Sequence, residues 1–166
     1  MIEAPLMSIP QKLRSVAKRI AKDSLFGRRI PAAYRVAAQA PVDPRKVVFL
    51  ENKDDDLPDS FALVERCARE RYGLDTVFIS LHETSVPRTR YFENCVAAAR
   101  EIATARYVFL NDASQLASCL PLRPETKIAQ LWHACGAFKK WGMSTAGLAF
   151  GGTREELLRH PYYGNL

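Results

Sequence analysis

The sequence predicts an α/β fold, a Rossmann-like parallel sheet with helices on both faces, and three observations support the prediction. Four short apolar segments rich in β-branched residues are each followed by a polar turn, as is typical of strands buried on both sides. Segments of helical periodicity alternate with them, which favours parallel strands joined by right-handed crossovers. The length of 166 residues suits a domain of ordinary size.

Each element has a local signal in the sequence. The segment RKVVFLEN predicts the first strand, and FALVERCARERYG after it has helical periodicity and a terminal glycine. Asp59 or Ser60 is expected to cap that helix. The stretch ASQLASCLPLRPET is rich in proline and is expected to hold only a short helical turn. Strands are predicted at 45–52, 75–82, 106–112 and 127–133, and long helices at 61–73 and 88–105.

A basic leader precedes the first predicted strand. Residues 1–46 contain ten Lys and Arg residues against three acidic ones, whereas the rest of the chain contains fourteen against fifteen. Ile9, Leu13, Val16 and Ile20 recur at helical spacing, which predicts a basic amphipathic helix. The cations expected on its opposite side, and predicted to bind a membrane, are Lys12, Arg14, Lys18, Arg19 and Lys22.

Three interpretations of this leader remain open: an anionic membrane surface, nucleic acid, or a solvated helix packed on the domain. The rest of the chain is near neutral and has no nucleic-acid-binding motif, which disfavours nucleic acid.

Pro31, Pro41 and Pro44 are expected to end the helical pattern, with a connector at residues 37–45. We therefore predict a leader and connector at 1–44 and a Rossmann-like domain at 45–166. The sequence has no signal peptide and no apolar stretch long enough to span a bilayer, which predicts a cytoplasmic location.

Ligands of parallel sheets bind at the carboxyl ends of the strands, which makes the residues there candidates for a site. His133 is the strongest, because Gly136 lets backbone approach a ligand and the next helix begins with free N–H groups. Lys139 and Lys140 add charges that could hold an anion. The candidates at the four strand ends are Glu51, Asn52, His82, Glu83, Asn111, Asp112 and His133.

Other interpretations compete at these positions. His133 could instead be structural, hydrogen-bonded to a neighbouring loop. Cys135 could be a thiolate activated by His133, although no acidic residue that would orient the histidine is evident. His82 and His160 are weaker candidates, and the four widely spaced cysteines suggest reduced thiols. Neither a metal site nor a cofactor is predicted.

The segment QLWHACGAFKKWGMS resembles the tryptophan-histidine motif of the CDP-glycerol glycerophosphotransferase family, the teichoic acid primases and polymerases. RKVVFLEN and ATARYVFLND resemble two of the family's strands, so that the resemblance covers about residues 45–142. Many family members have Trp-His-Gly-Thr where this chain has Trp132, His133, Ala134 and Cys135.

The resemblance implies the amino-terminal, acceptor-side half of a GT-B-like transferase whose carboxyl-terminal donor domain is absent from these residues. The histidine matching His133 would be the base that activates an acceptor hydroxyl, which attacks the β-phosphate of CDP-glycerol and releases CMP. Gly136, Lys139, Lys140 and Asn111 would bind substrate or phosphate. The acceptor would be a lipid-linked polyol phosphate at the cytoplasmic face of the cell membrane, where the protein would be peripheral. The 166 residues alone are expected to lack turnover.

A second function remains open. The chain could be a non-catalytic, membrane-associated α/β module that binds anionic lipid or a partner protein. The sequence does not distinguish glycerol phosphate from ribitol phosphate or another polyol phosphate.

Overall fold

The computed structural model describes residues 11–131, 140–149, 151–162 and 164–165. Its centre is a sheet of four strands that all run parallel. The strands are β1 (Asp43–Glu51), β2 (Asp75–Ser80), β3 (Ala105–Leu110) and β4 (Lys127–Gln130). Their order in the sheet is β2-β1-β3-β4.

Helices surround this sheet on both faces, so the predicted Rossmann-like α/β fold is confirmed. A π-helical turn at Leu25–Arg29 joins the first two helices. A 3-10 turn at Gly142–Thr145 precedes the last one. The helices are α1 (Gln11–Ser24), α2 (Ile30–Ala37), α3 (Asp59–Tyr72), α4 (Arg88–Ala103), α5 (Gln115–Cys119) and α6 (Arg154–Arg159).

Two hydrophobic cores hold the helices to the sheet, because successive side chains of a strand point to opposite faces. Val48 and Leu50 of β1 belong to the larger core, which α2, α4 and α5 cover. Val47 and Phe49 point the other way and pack with Phe61 of α3. The rings of Phe49 and Phe61 meet edge to face with centroids 5.1 Å apart. All four strand residues are buried, which explains the continuously apolar pattern.

Part of the basic leader lies in the larger core. Leu25, Phe26, Ile30 and Tyr34 are buried there, and the Tyr34 hydroxyl accepts a hydrogen bond of 3.2 Å from the backbone N–H of Arg123. The expectation that Pro31 ends the helical pattern is wrong. Pro31 lies in the first turn of α2, directly after the π-helical turn, and the backbone stays helical through it. The division at residue 44 stays a prediction.

Several predicted boundaries differ from those observed. The irregular connector is limited to residues 38–42, and β1 begins at Asp43. Strands β2 and β3 each end two residues earlier than predicted, because the chain leaves the sheet where polar loop residues begin. Neither Asp59 nor Ser60 caps α3. Pro58 occupies that position, and the Ser60 hydroxyl instead donates to the side chain of Asn111.

The crossovers create a point at which the strand order reverses. From β1 the chain passes through α3 to β2 on one side, and it then returns through α4 to β3 on the other side. The carboxyl ends of β1 and β3 therefore border a crevice in which sheets of this kind bind ligands. Within the described residues, no helix combines the length and apolar character needed to cross a bilayer.

Candidate functional site

A cavity of about 370 Å³ lies at this switch point, between the carboxyl ends of β1 and β3 and the amino-terminal end of α3. Its position agrees with the rule used to select the strand-end candidates. The cavity contains Asn111, one of the predicted substrate-binding residues. Its lining residues are Glu51, Lys53, Asp54, Pro58, Asp59, Ser60, Asn111 and Asp112.

A chain of hydrogen bonds orients the polar groups on the cavity floor. The Asn111 amide Nδ2 donates to Glu51 Oε2 over 2.7 Å, so its Oδ1 accepts from the Ser60 hydroxyl. The other Glu51 oxygen, Oε1, accepts from the backbone N–H groups of Asn52 and Lys53 at 2.8 and 2.9 Å. Glu51 and Asn111 are 3% and 5% exposed. The Asn111 side chain is thus held in one orientation by buried contacts.

The charges around this cavity determine which ligand groups it suits. Asp54, Asp59 and Asp112 line it together with Glu51, and Lys53 is the one cation among the lining residues described. An acidic lining repels phosphate and accepts hydrogen bonds from hydroxyl groups. The cavity therefore suits a polyol or sugar hydroxyl better than an anion.

The end of β4 lies next to the end of β3, which borders this cavity. The backbone N–H of Leu131 donates to the carbonyl of Leu110 over 2.8 Å, which continues the pairing one residue past Gln130. The predicted site residues His133, Gly136 and Lys139 follow within eight residues and lie outside the described residues. Lys140 is described, and it is exposed. The roles assigned to these four residues stay predictions.

The thiol alternative also stays a prediction at Cys135, which is outside the described residues. Elsewhere, Cys67, Cys95 and Cys119 are free thiols. Burial raises the pKa of Cys95 and of Cys119 to about 12. Both thiols are therefore protonated at neutral pH and are poor nucleophiles.

The two weaker histidine candidates contact aspartates, and neither histidine lines the switch-point cavity. His82 Nδ1 lies 2.7 Å from Asp55 Oδ1, and the residue has a φ of 54°, a conformation that asparagine also tolerates. His160 Nε2 lies 2.6 Å from Asp23 Oδ1 and ties the end of the chain to α1. That hydrogen bond holds the pKa of the Asp23 carboxyl below its usual value.

Helix α1 has cations beside a cavity, although Lys18 and Arg19 are themselves exposed and only Lys22 is partly buried. The side chains of Lys18, Arg19 and Lys22 border a second cavity on the protein side of the helix. The apolar residues Leu13, Val16 and Ile20 are instead 59%, 42% and 61% exposed. Of the predicted membrane-binding cations, Lys12 and Arg14 have side chains outside those described.

Sequence reasoning missed Ser60 as a site residue and treated it only as a helix cap. Its contact with Asn111 joins positions 51 residues apart, which no local pattern indicates. The general rule that the helix after a strand begins at the carboxyl edge of the sheet could have suggested it. Glu51 was a strand-end candidate, but its hydrogen bonds to the next two backbone N–H groups could not be read from the sequence.

A Rossmann-like sheet with a polar cavity at its switch point is the architecture of an α/β protein that binds small ligands at the carboxyl ends of its strands. The chain belongs to the CDP-glycerol:poly(glycerophosphate) glycerophosphotransferase family, whose model matches residues 32–163. This finding confirms the resemblance noted in the sequence.

Three relatives carry teichoic acid names. The teichoic acid ribitol-phosphate primase of Bacillus spizizenii is 31% identical over 156 residues, covering 92% of this chain and 39% of that protein. The teichoic acid poly(ribitol-phosphate) polymerase of the same organism is 29% identical over 79% of this chain and 21% of its own length. The ribitol-phosphate polymerase TarK of Staphylococcus aureus is 26% identical over 72% and 23%. The chain thus spans about two fifths or less of these relatives.

Proposed function

We propose that this chain is the acceptor-side part of a polyol-phosphate transferase of teichoic acid or related cell-surface polymer synthesis. The observation that carries the proposal is the family match over residues 32–163. The names of the three relatives, one ribitol-phosphate primase and two ribitol-phosphate polymerases of teichoic acid, support the same class of reaction. The switch-point cavity adds a place for the hydroxyl groups of a polyol.

In the proposed reaction, an acceptor hydroxyl attacks the β-phosphorus of a CDP-linked polyol. A new oxygen–phosphorus bond forms, the bond to the bridging oxygen breaks, and CMP leaves with the electron pair. His133 takes the hydroxyl proton, because imidazole accepts protons near neutral pH. Lys139, Lys140 and the N–H groups after Gly136 stabilise the phosphate charge. Asn111, fixed by Glu51, contributes a polar contact to a substrate hydroxyl.

We propose CDP-glycerol as the donor, following the description of the family. The complete gene product should transfer glycerol phosphate from radiolabelled CDP-glycerol to a lipid-linked acceptor, whereas residues 1–166 alone should not turn over. CDP-ribitol is the matched comparison. Transfer from CDP-ribitol alone would refute CDP-glycerol as the donor, but it would still support a polyol-phosphate transferase. Transfer from neither donor, with the protein folded, would favour the non-catalytic membrane module.

The second element of the proposal is peripheral binding to the cytoplasmic face of the membrane through α1. Support comes from the exposed Leu13, Val16 and Ile20 on one side of this helix. Apolar side chains of an interfacial helix enter the boundary between headgroups and acyl chains, and nearby cations add attraction to anionic lipid. The basic side chains that could contribute this attraction include Lys18 and Arg19.

Replacing Leu13 and Ile20 together with glutamine should lower the partition coefficient on anionic vesicles at least about tenfold, because two apolar side chains lose their burial in lipid. Cosedimentation at low and high salt measures it. Leu63→Gln is the control, since Leu63 is 65% exposed on α3 and far from α1 in the sequence. Equal binding by the double variant and the wild type would refute membrane binding through α1.

A further inference from the structure

A second cavity, of about 410 Å³, lies between α1, the start of α4 and the segment that contains α6. Nothing in the proposed transfer mechanism uses it. Its lining includes five cations and two carboxylates, a composition opposite to that of the switch-point cavity. The cations are Lys18, Arg19, Lys22, Arg88 and Arg159, and the carboxylates are Asp23 and Glu156.

Both carboxylates are engaged in structural contacts. Asp23 accepts from His160 and lies 3.7 Å from Arg159, so a histidine and an arginine share its charge. Glu156 Oε2 accepts from the backbone N–H of Thr153 over 3.0 Å, which closes the capping box of α6. Among the salt bridges of the described residues, neither acid pairs directly with Lys18, Arg19, Lys22 or Arg88, although both attract Lys22.

Four of the cations have no carboxylate at salt-bridge distance within the part of the chain that the structure describes. Lys18, Arg19, Lys22 and Arg88 form no salt bridge with any described residue. The Lys22 ammonium is half-buried, and this burial lowers its pKa despite attraction from Glu83, Glu156 and Asp23. The Coulomb attraction between an anion in the cavity and a partly desolvated cation of this kind is stronger than it would be in bulk water.

We propose that this cavity binds the phosphate group of a phosphate ester. Lys18, Arg19, Lys22 and Arg88 would contact the phosphate oxygens, and Leu157 and Tyr162 in the lining would contact the carbon chain of the ester. The volume is within the range of small-molecule sites, which starts at about 300 Å³. A soluble polyol phosphate and a phospholipid headgroup share this chemistry.

The phosphate site and the switch-point cavity lie at the same edge of the sheet. Arg88 begins the helix after β2 and Gln115 begins the helix after β3, so both mark the carboxyl ends of strands. Tyr162 lines the phosphate site, and burial together with the nearby carboxylates of Glu83 and Asp112 raises its pKa. Asp112 lines the switch-point cavity, so the two sites are neighbours. If the proposed function holds, one acceptor chain can place a phosphate in one site and a hydroxyl in the other.

The test measures binding of inorganic phosphate and of glycerol 3-phosphate to the full 166-residue chain by NMR titration. The Lys22→Gln, Arg88→Gln double variant should bind both at least tenfold more weakly than the wild type. Arg90→Gln is the matched control, because Arg90 is on the same helix but pairs with Glu93 outside the cavity. It should change affinity less than twofold. If the double variant does not fold, the same titrations are made with Arg19→Gln, a substitution on the exposed helix α1.

Vesicles of phosphatidylglycerol in phosphatidylcholine distinguish the two sources of the phosphate. Weaker binding of free glycerol 3-phosphate by the double variant supports a soluble ester, and weaker binding of vesicles alone supports a headgroup. An equal effect of Arg90→Gln would mean non-specific attraction and would overturn the proposal. So would the absence of both phosphate and vesicle binding by the wild type. None of these measurements requires transfer activity, so failure of the proposed function leaves them interpretable.

Discussion

Replacing His133 with alanine should lower the rate of polyol-phosphate transfer by the complete gene product at least about 100-fold, the usual contribution of a general base. The acceptor hydroxyl is a weak nucleophile until its proton is removed, and His133 is the proposed proton acceptor. The KM for the donor should change little, because His133 acts on the acceptor. Initial rates with varied CDP-glycerol and a fixed acceptor measure both quantities.

The control for this prediction is His82→Asn. His82 also follows a strand, but it contacts Asp55, and asparagine tolerates the positive φ found there. Its transfer rate should stay within a few-fold of the wild type. A folded His133→Ala protein with the wild-type rate would refute the assignment of the base, and it would equally refute a Cys135 thiolate activated by His133.

Replacing Glu51 with leucine should lower the free energy of unfolding by about 2–4 kcal/mol, because several hydrogen-bond donors lose their acceptor at once. These donors are the Asn111 amide and the backbone N–H groups of Asn52 and Lys53. The contacts of the Asn111 amide and of the Lys53 N–H involve residues that line the cavity, where a donor without a hydrogen-bond acceptor costs free energy. Urea unfolding of the 166-residue chain, followed by circular dichroism, measures the change.

Glu51→Gln is the isosteric control. Its carbonyl oxygen can still accept from the two backbone N–H groups, and the Asn111 amide can turn to offer its oxygen to the new NH₂ group. We expect a loss below about 1 kcal/mol, the net value of one hydrogen bond. If leucine and glutamine at position 51 had equal effects, the hydrogen bonds to Glu51 would not be what stabilises this edge of the sheet.

Much of the fold could be predicted from local pattern. β1 is covered on both faces, so its residues Val47 to Leu50 are all apolar, and this run is visible in the sequence. Gly73 marks the end of α3 with a φ of 60°, as its position after a periodic segment predicts. Asn111 was located at a strand end by the same reasoning. Its burial and its contact with Ser60 depend on pairing between distant segments, which periodicity does not reveal.

The basic leader illustrates a pattern with more than one three-dimensional solution. Helical spacing predicted which residues of α1 share a side, but not which side faces the domain. In the structure the cations Lys18, Arg19 and Lys22 border the second cavity, and the apolar residues are exposed. That orientation depends on the burial of Leu25 and Phe26, which directly follow α1 in the chain.

By itself, the sequence determined the parallel α/β class, the family and the strand-end residues, because these follow from hydrophobic periodicity and from short contiguous motifs. Tertiary structure alone decided which charges gather in which cavity. Acidic residues meet at the switch point, and cations from α1 and α4 meet beside His160, which contacts Asp23 across 137 residues of chain. Electrostatic potential depends on distance in space, and chain folding sets that distance independently of separation along the sequence.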